Sequence, residues 1–417
     1  MTTEDRMTID ERYKYLRKMK TRYVNASRKE RGRLLDEMQA VTGLHRKSLT
    51  RLLQSNLERK PRTQQRGRTY DAEVIAAMDV ISASLDYPCA ERLTPNLVWM
   101  AKHLAAHQEL DLCAAVLEKL SRISISTVER RLRTMRQNQH RRPRKPPRAP
   151  NAALQGIPMG RIPWNTKEPG HLEADTVHHC GDSASGEYVH TVQMVDVATG
   201  WNERRATLGR SYVVMQDAFR YILKQLPFPV RGVHPDNGPE FFNNHLRRFW
   251  EDEVQNVHLS RSRPYHKNDN PFVEQRNAHP VRTYLGYDRF DTVAQTLAIN
   301  ELYDKMWVYH NLFQPVMRVV EKTIVSQEGQ RTRIRRRYDQ ARTPFDRLCD
   351  AGVLPPEVQA RLAALRDQTN PRQLLAEIEA QLVHIFSLPC RTPGHTEVVY
   401  DTLSEIPDPR LETVLAR

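Results

Sequence analysis

The sequence predicts a multi-domain chain. All-α modules come first, then an α/β core with a mixed five-stranded sheet and flanking helices, then a mostly helical C-terminal region. Three observations lead there. Apolar residues keep helical spacing to about residue 137, whereas from about residue 165 they alternate along short runs as strands do. Positive charge is confined to the first third: residues 1–150 hold 32 Lys+Arg against 17 Asp+Glu (+15), and residues 151–417 hold 32 against 33 (−1), giving the net +14. Finally, 417 residues are too many for one typical core.

Composition narrows the class. Apolar residues make up 39%, charged residues 27%, and 26 prolines segment the chain. No apolar run reaches the roughly 18–20 residues that span a bilayer. The start, MTTEDRMTIDERY, lacks the charged-then-apolar order of a signal peptide. A cytoplasmic protein without a membrane partner is expected. The cysteines (Cys89, Cys113, Cys180, Cys349, Cys390) stand far apart without a C-x-x-C pair, so neither a disulfide framework nor a structural zinc is expected. His103 and His107 lie one helical turn apart and read as an ordinary helical pair.

Residues 1–57 read as a helix-turn-helix module. Ser27 and Glu30 make a capping box at the start of one helix, Thr42-Gly43 breaks the pattern, and a second helix begins near His45. That helix offers Arg46, Lys47, Ser48 and Arg51 to double-stranded DNA. Residues 58–70 are a basic linker. Residues 71–137 form a second helical module ending in ISISTVERRLRTMR, with Ser126 and Glu129 as its capping pair and Arg130, Arg131 and Arg133 as DNA contacts. Residues 138–164 are a Pro-rich basic linker, extended rather than helical.

The core is expected over residues 165–325. HLEADTVHH, YVHTVQMVDVATG and WNERRATL read as consecutive strands, SYVVMQDAFRYILKQL as a helix stopped by Pro227, and VRGV as a fourth strand. HLRRFWEDEV is a helix, VHLSRSRP holds a fifth strand, and PFVEQRN opens another helix that Pro280 should kink. Residues 293–320 look helical. In the C-terminal region, 326–417, GQRTRIRRRYD is a basic extended stretch, and residues 355–388 form two helices split at Asn370-Pro371.

Acidic residues mark the chemistry. Asp175 lies on the first strand, Asp236 follows the fourth beside an Asn-Gly turn, and Glu274 begins the later helix. Glu173 shares a strand face with Asp175 and is either a rival ligand or a neighbour of the ligands. Asp196, Glu240 and Asp269 are further rivals. Carboxylates that converge without a cation repel one another, whereas hard divalent cations take oxygen ligands.

With DNGPEF and RPYHKNDN-x-x-VEQRN, the order of elements resembles the integrase-like (DDE) transposases of bacterial insertion sequences, whose catalytic core has the RNase H-like fold of retroviral integrases. The resemblance runs from Leu172 to Tyr287 and more loosely to Leu348. It implies a catalytic and metal-binding triad of Asp175, Asp236 and Glu274, holding two Mg2+ or Mn2+ ions. It also implies 3′-end cleavage and strand transfer, recognition of the element's terminal inverted repeats, a homo-oligomer of at least two subunits on DNA, and residence in the bacterial nucleoid. Asn237, Asn270 and Asn277 would support the ligands, and Arg261, Arg263 and Lys267 would meet the DNA. Two alternatives remain open: an RNase H-like structure-selective nuclease that cuts without joining, and a DNA-binding regulator with a retired core.

Overall fold

The structure, a computed structural model, describes residues 7–57, 70–136, 166–235, 249–250, 257–260, 281–325, 333–392 and 394–404. The chain divides into two units, Met1–Thr69 and Tyr70–Arg417.

In the first unit, α1 (Ile9–Asn25) starts on a capping box. Glu11 N–H donates to Thr8 Oγ1 at 3.3 Å, and Thr8 N–H donates to the Glu11 carboxylate at 2.7 Å. α2 (Arg28–Thr42) starts on Ser27, whose hydroxyl accepts the Glu30 N–H at 3.4 Å. It stops at Gly43, where φ of +68° is a left-handed cap that glycine adopts without strain. α3 (Arg46–Gln54) is capped by His45, whose Nδ1 accepts the Lys47 N–H at 3.3 Å. Leu16, Met19, Leu34, Met38, Leu49, Leu53 and Leu57 form the core that the three helices share.

The second unit opens with α4 (Ala72–Ser84), α5 (Ala90–Leu93), α6 (Leu97–Ala106), α7 (Ala114–Arg122) and α8 (Ile125–Arg136). One capping expectation needs correction. Ser124 rather than Ser126 opens α8: its carbonyl accepts the Thr127 and Val128 N–H groups, and its Oγ accepts that of Thr127 at 3.4 Å. Glu129 instead takes Arg133 at 2.6 Å, one turn on. α4–α8 share one apolar core with the sheet and the C-terminal helices, so the stretch read as a module over 71–137 has its apolar stripes covered by the rest of the unit. Tyr309 Oη donates to Ser84 O at 3.1 Å and Gln314 Nε2 to Leu85 O at 2.8 Å, which ties the end of α4 to residues far downstream. An amphipathic stripe shows that a helix has a partner without showing which.

The sheet contains β1 (His171–His178), β2 (Val189–Asp196), β3 (Asn202–Leu208), β4 (Gly232–Pro235) and β5 (His258–Leu259), in the order β3-β2-β1-β4-β5. β1–β2 and β2–β3 are antiparallel, and β1–β4 and β4–β5 are parallel, so β2 alone runs against the rest. Between β3 and β4, α9 (Tyr212–Gln225) covers the face that carries Arg205, whose guanidinium lies 4.1 Å from the Tyr221 ring centre. The expected mixed sheet with flanking helices is therefore present.

After α10 (Arg282–Leu285) comes α11 (Val293–Val308), which continues as a π-helical turn over Tyr309–Phe313. The helix expected over 293–320 ends there because Pro315 forces Gln314 into extended backbone, with φ −79° and ψ 112°. Instead β6 (Val319–Val325) pairs antiparallel with β7 (Arg333–Tyr338) in a two-stranded ribbon. α12 (Pro344–Ala351), α13 (Pro356–Gln368) and α14 (Pro371–Ser387) each begin with proline at the first helical position, where its missing N–H costs nothing. Asn370 caps α14 by accepting the Arg372 and Gln373 N–H groups at 3.0 and 3.4 Å. No helix among the described residues is long and apolar enough to cross a membrane.

Candidate active site

β1 is the central strand, with β2 on one side and β4 on the other. Asp175 sits in its middle, half-buried, and its Oδ1 accepts the Thr176 N–H at 2.8 Å. On the β4 side the last register pair is Ala174 with Pro235. Asp175 and Asp236 are the next residues of the two strands' sequences, and Asp236 lies outside the described residues. Also outside them are Glu274, Asn237, Asn270, Asn277, Arg261, Arg263 and Lys267, together with Glu240 and Asp269.

On the β2 side, Asp175 pairs with Gln193, and Gln193 pairs with Arg204 on β3. Cross-strand partners share a face, so the three form one polar row across the sheet. The next row holds Thr191, whose Oγ1 meets Tyr303 Oη on α11 at 2.5 Å; α11 therefore covers this face. Gln193 is fully buried, and neither of its amide atoms has a hydrogen-bond partner; Arg204 Nε and Nη2 are in the same position. Burial pushes the Arg204 pKa down to about 10, with Tyr303, Tyr284 and Glu203 nearby opposing the shift. An unpaired buried polar group costs about 1–3 kcal/mol, so Gln193 and Arg204 lower the stability of the sheet where they stand. Neither was singled out in the sequence, although Gln193 interrupts the apolar run TVQMV and two arginines adjoin in NERRAT.

Of the rival acids, Asp196 has a structural duty. Asp196 is fully buried at the end of β2, where it accepts Gly170 N–H at 2.8 Å, Thr199 N–H at 2.8 Å and the Thr199 hydroxyl at 2.7 Å. It therefore builds the turn between β2 and β3. Gly200 in that turn has φ +80°, and a Cβ there would stand 2.6 Å from the Arg318 guanidinium. Glu173 is fully buried opposite His234, one step back along the face of Asp175. Burial lowers the Arg318 pKa to about 10, and the carboxylates of Asp196, Glu173 and Asp339 counter that shift. Glu173 thus lies within the field of a buried guanidinium. Glu203 accepts both Trp201 Nε1–H and Trp307 Nε1–H at 2.7 Å, and burial pushes its pKa up to about 8.

The histidine candidates are structural as well. His103 Nε2 contacts Thr369 O at 2.9 Å and His107 Nε2 contacts Asp367 O at 3.0 Å, so both close the end of α13. His179 is fully buried, with Nε2 at 2.8 Å from Thr191 Oγ1, and burial holds its pKa well below the usual value. No group of three or more His, Cys, Asp or Glu among the described residues is placed to hold a metal ion.

The cationic candidates differ in how far they are already engaged. On α3, Lys47 and Arg51 are exposed and Ser48 is half-buried. Arg46 is tied back to α2, with Nη1 at 3.1 Å from Asp36 and Nη2 donating to Gly32 O at 3.0 Å. On α8, Arg130 is exposed, Arg131 is half-buried and Arg133 is paired with Glu129.

Fold and site together define an α/β protein with a mixed sheet, an acid on its central strand and a polar row beside that acid. The uncharacterized protein y4rM of Sinorhizobium fredii (strain NBRC 101917 / NGR234) is 33% identical over 327 residues, which cover 78% of this chain and 91% of that protein. The chain belongs to the y4rM family. No family model matches it. Among solved structures, the catalytic core domain of BIV integrase is similar at 15% identity and a TM-score of 0.21, over 26% of this chain and 64% of that domain, less than two thirds of its length. That likeness is too slight to argue from.

Proposed function

We propose that the chain is a DNA transposase of the integrase-like kind. Its N-terminal helices bind the terminal inverted repeats of its element, and Asp175, Asp236 and Glu274 serve 3′-end cleavage and strand transfer. The observation that carries this reading is the parallel pairing of β1 with β4 up to Ala174 and Pro235. Asp175 and Asp236 are the residues that follow this last pair in the two strands' sequences. The strand order, with only β2 reversed, agrees with an RNase H-like core.

Carboxylate oxygens suit hard divalent cations. Mg2+ or Mn2+ held by Asp175, Asp236 and Glu274 would supply Lewis-acid stabilisation of the attacking and leaving oxygens. The remaining work belongs to the chain. A mid-strand position fixes the Asp175 backbone, and the Thr176 N–H orients its Oδ1. Buried Gln193 and Arg204 hold donors in the adjoining positions of the row. The +15 of residues 1–150 draws DNA to the protein, and α2, Gly43 and α3 have the layout of a helix-turn-helix.

The test uses the full chain, a supercoiled plasmid carrying the element's ends, and Mg2+ or EDTA. Joined products that need the metal are expected. Cleaved ends without joined products would mean a nuclease instead, and DNA binding without either product would mean a regulator.

A further inference from the structure

We propose that the β6–β7 ribbon is a docking element for double-stranded DNA that grips phosphates irrespective of sequence. The two strands hold Lys322, Arg333, Arg335, Arg336 and Arg337 against Glu321, a net of 5 − 1 = +4, within a stretch, 151–417, whose own net is 32 − 33 = −1. Arg335, Arg336 and Arg337 are exposed. Arg337 meets Glu321 at 2.9 Å, but with the side chains 73% and 55% exposed the pair is screened and weak. Among the described residues no ion pair holds Arg335 or Arg336.

The register sharpens the argument. Lys322 stands opposite Arg336 in the ladder. Alternation puts Arg335 and Arg337 on one face, about 6.8 Å apart, and Arg336 on the other. Both faces are therefore cationic, and a two-stranded ribbon fits the roughly 12 Å major groove with phosphates on either side.

The ribbon is also firmly rooted. Just past β7, Asp339 accepts Arg347 Nη1 at 2.7 Å and Nη2 at 3.0 Å, and its Oδ1 accepts the Arg318 N–H at 2.7 Å. Arg318 Nη2 donates to Asp196 O at 3.0 Å, which anchors the stem on the β2–β3 turn. A phosphate grip on β7 is thereby transmitted to the sheet that carries Asp175. The proposal rests on charge and geometry and does not require transposase activity.

The test is the binding of a short duplex of arbitrary sequence to the full chain, in EDTA, by fluorescence anisotropy over a salt series. The combined variant Arg335→Gln, Arg336→Gln, Arg337→Gln should lose about tenfold or more in affinity at low salt, and its slope of log affinity against log salt should flatten by roughly 2–3. The single variant Arg335→Glu, which removes no ion pair among the described residues, should shift both in the same direction with an unchanged thermal midpoint. Unchanged affinity and slope in both variants overturn the proposal. Retained duplex binding with lost polyglutamate binding also overturns it, making the ribbon a docking site for acidic protein. Because no divalent metal is present, neither result bears on the catalytic reading.

Discussion

Ala174 and Pro235 are partners in the parallel ladder between β1 and β4, and the residues that follow them in sequence are both aspartates. Parallel partners project to the same side of a sheet, so Ala174 and Pro235 share a face. On the other flank of Asp175, the ladder with β2 places Gln193, buried and without hydrogen bonds. Carboxylate and amide are thus built into rigid strands.

Gln193 separates a functional row from a structural one. Gln193→Met keeps the volume and removes two unsatisfied buried atoms, so unfolding free energy should hold or rise by up to about 1–3 kcal/mol. Metal-dependent cleavage should nonetheless fall. Denaturant melts and initial cleavage rates measure the two effects; a fall of several kcal/mol in stability would make the amide a structural group.

Asn300 protects the open edge of the sheet. Its Oδ1 accepts the Ala206 N–H at 2.7 Å and its Nδ2 donates to Ala206 O at 3.1 Å, while Asn311 treats Asn202 likewise at 3.0 and 3.0 Å. The two side chains act as a pair of strand residues on β3. Asn300→Ala leaves two buried backbone groups unpaired and should destabilise by about 2–4 kcal/mol, read as a lower urea midpoint at unchanged slope. Asn300→Asp should be worse, since it loses the donor and buries a charge.

Glu203 makes the second unit less stable as pH rises. Its pKa is raised from 4.5 to about 8, so between those values the folded chain holds a proton that the unfolded chain has released. The stabilising contribution is full below about pH 4.5 and declines toward about pH 8, by at most about 1.4 kcal/mol per pH unit. Glu203→Gln keeps an acceptor for both indole N–H groups and should remove this slope. Melts of the two proteins should agree near pH 4.5 and part above it, with the variant higher; parallel curves would contradict this.

What was legible in the sequence was periodic or terminal. Alternation gave β1, β2 and β3, and Asp175 stood out as an acid on a strand. Ser27, Thr42-Gly43 and Asn370-Pro371 marked helix ends through residue chemistry alone. What escaped depends on register or on distant partners. Gln193 and Arg204 matter because of what they stand beside, and one-residue slips would face them the other way. Glu203 takes one of its two indole partners from Trp307, 104 positions later. Ser124 and Ser126 are equal by type, and only the hydrogen bonds choose between them. Two missed signals were present: Pro315 inside the presumed helix, and Asn300 and Asn311 eleven apart, close to three helical turns.

Strand transfer by Asp175→Asn, beside the unaltered chain, is the most direct measurement of the central claim. With end-bearing DNA and Mg2+, the variant should bind DNA and melt as the parent does while joining falls by about a hundredfold or more, as expected when several kcal/mol of transition-state stabilisation is lost. Strand transfer at the parental rate would contradict the assignment of Asp175, and with it the site.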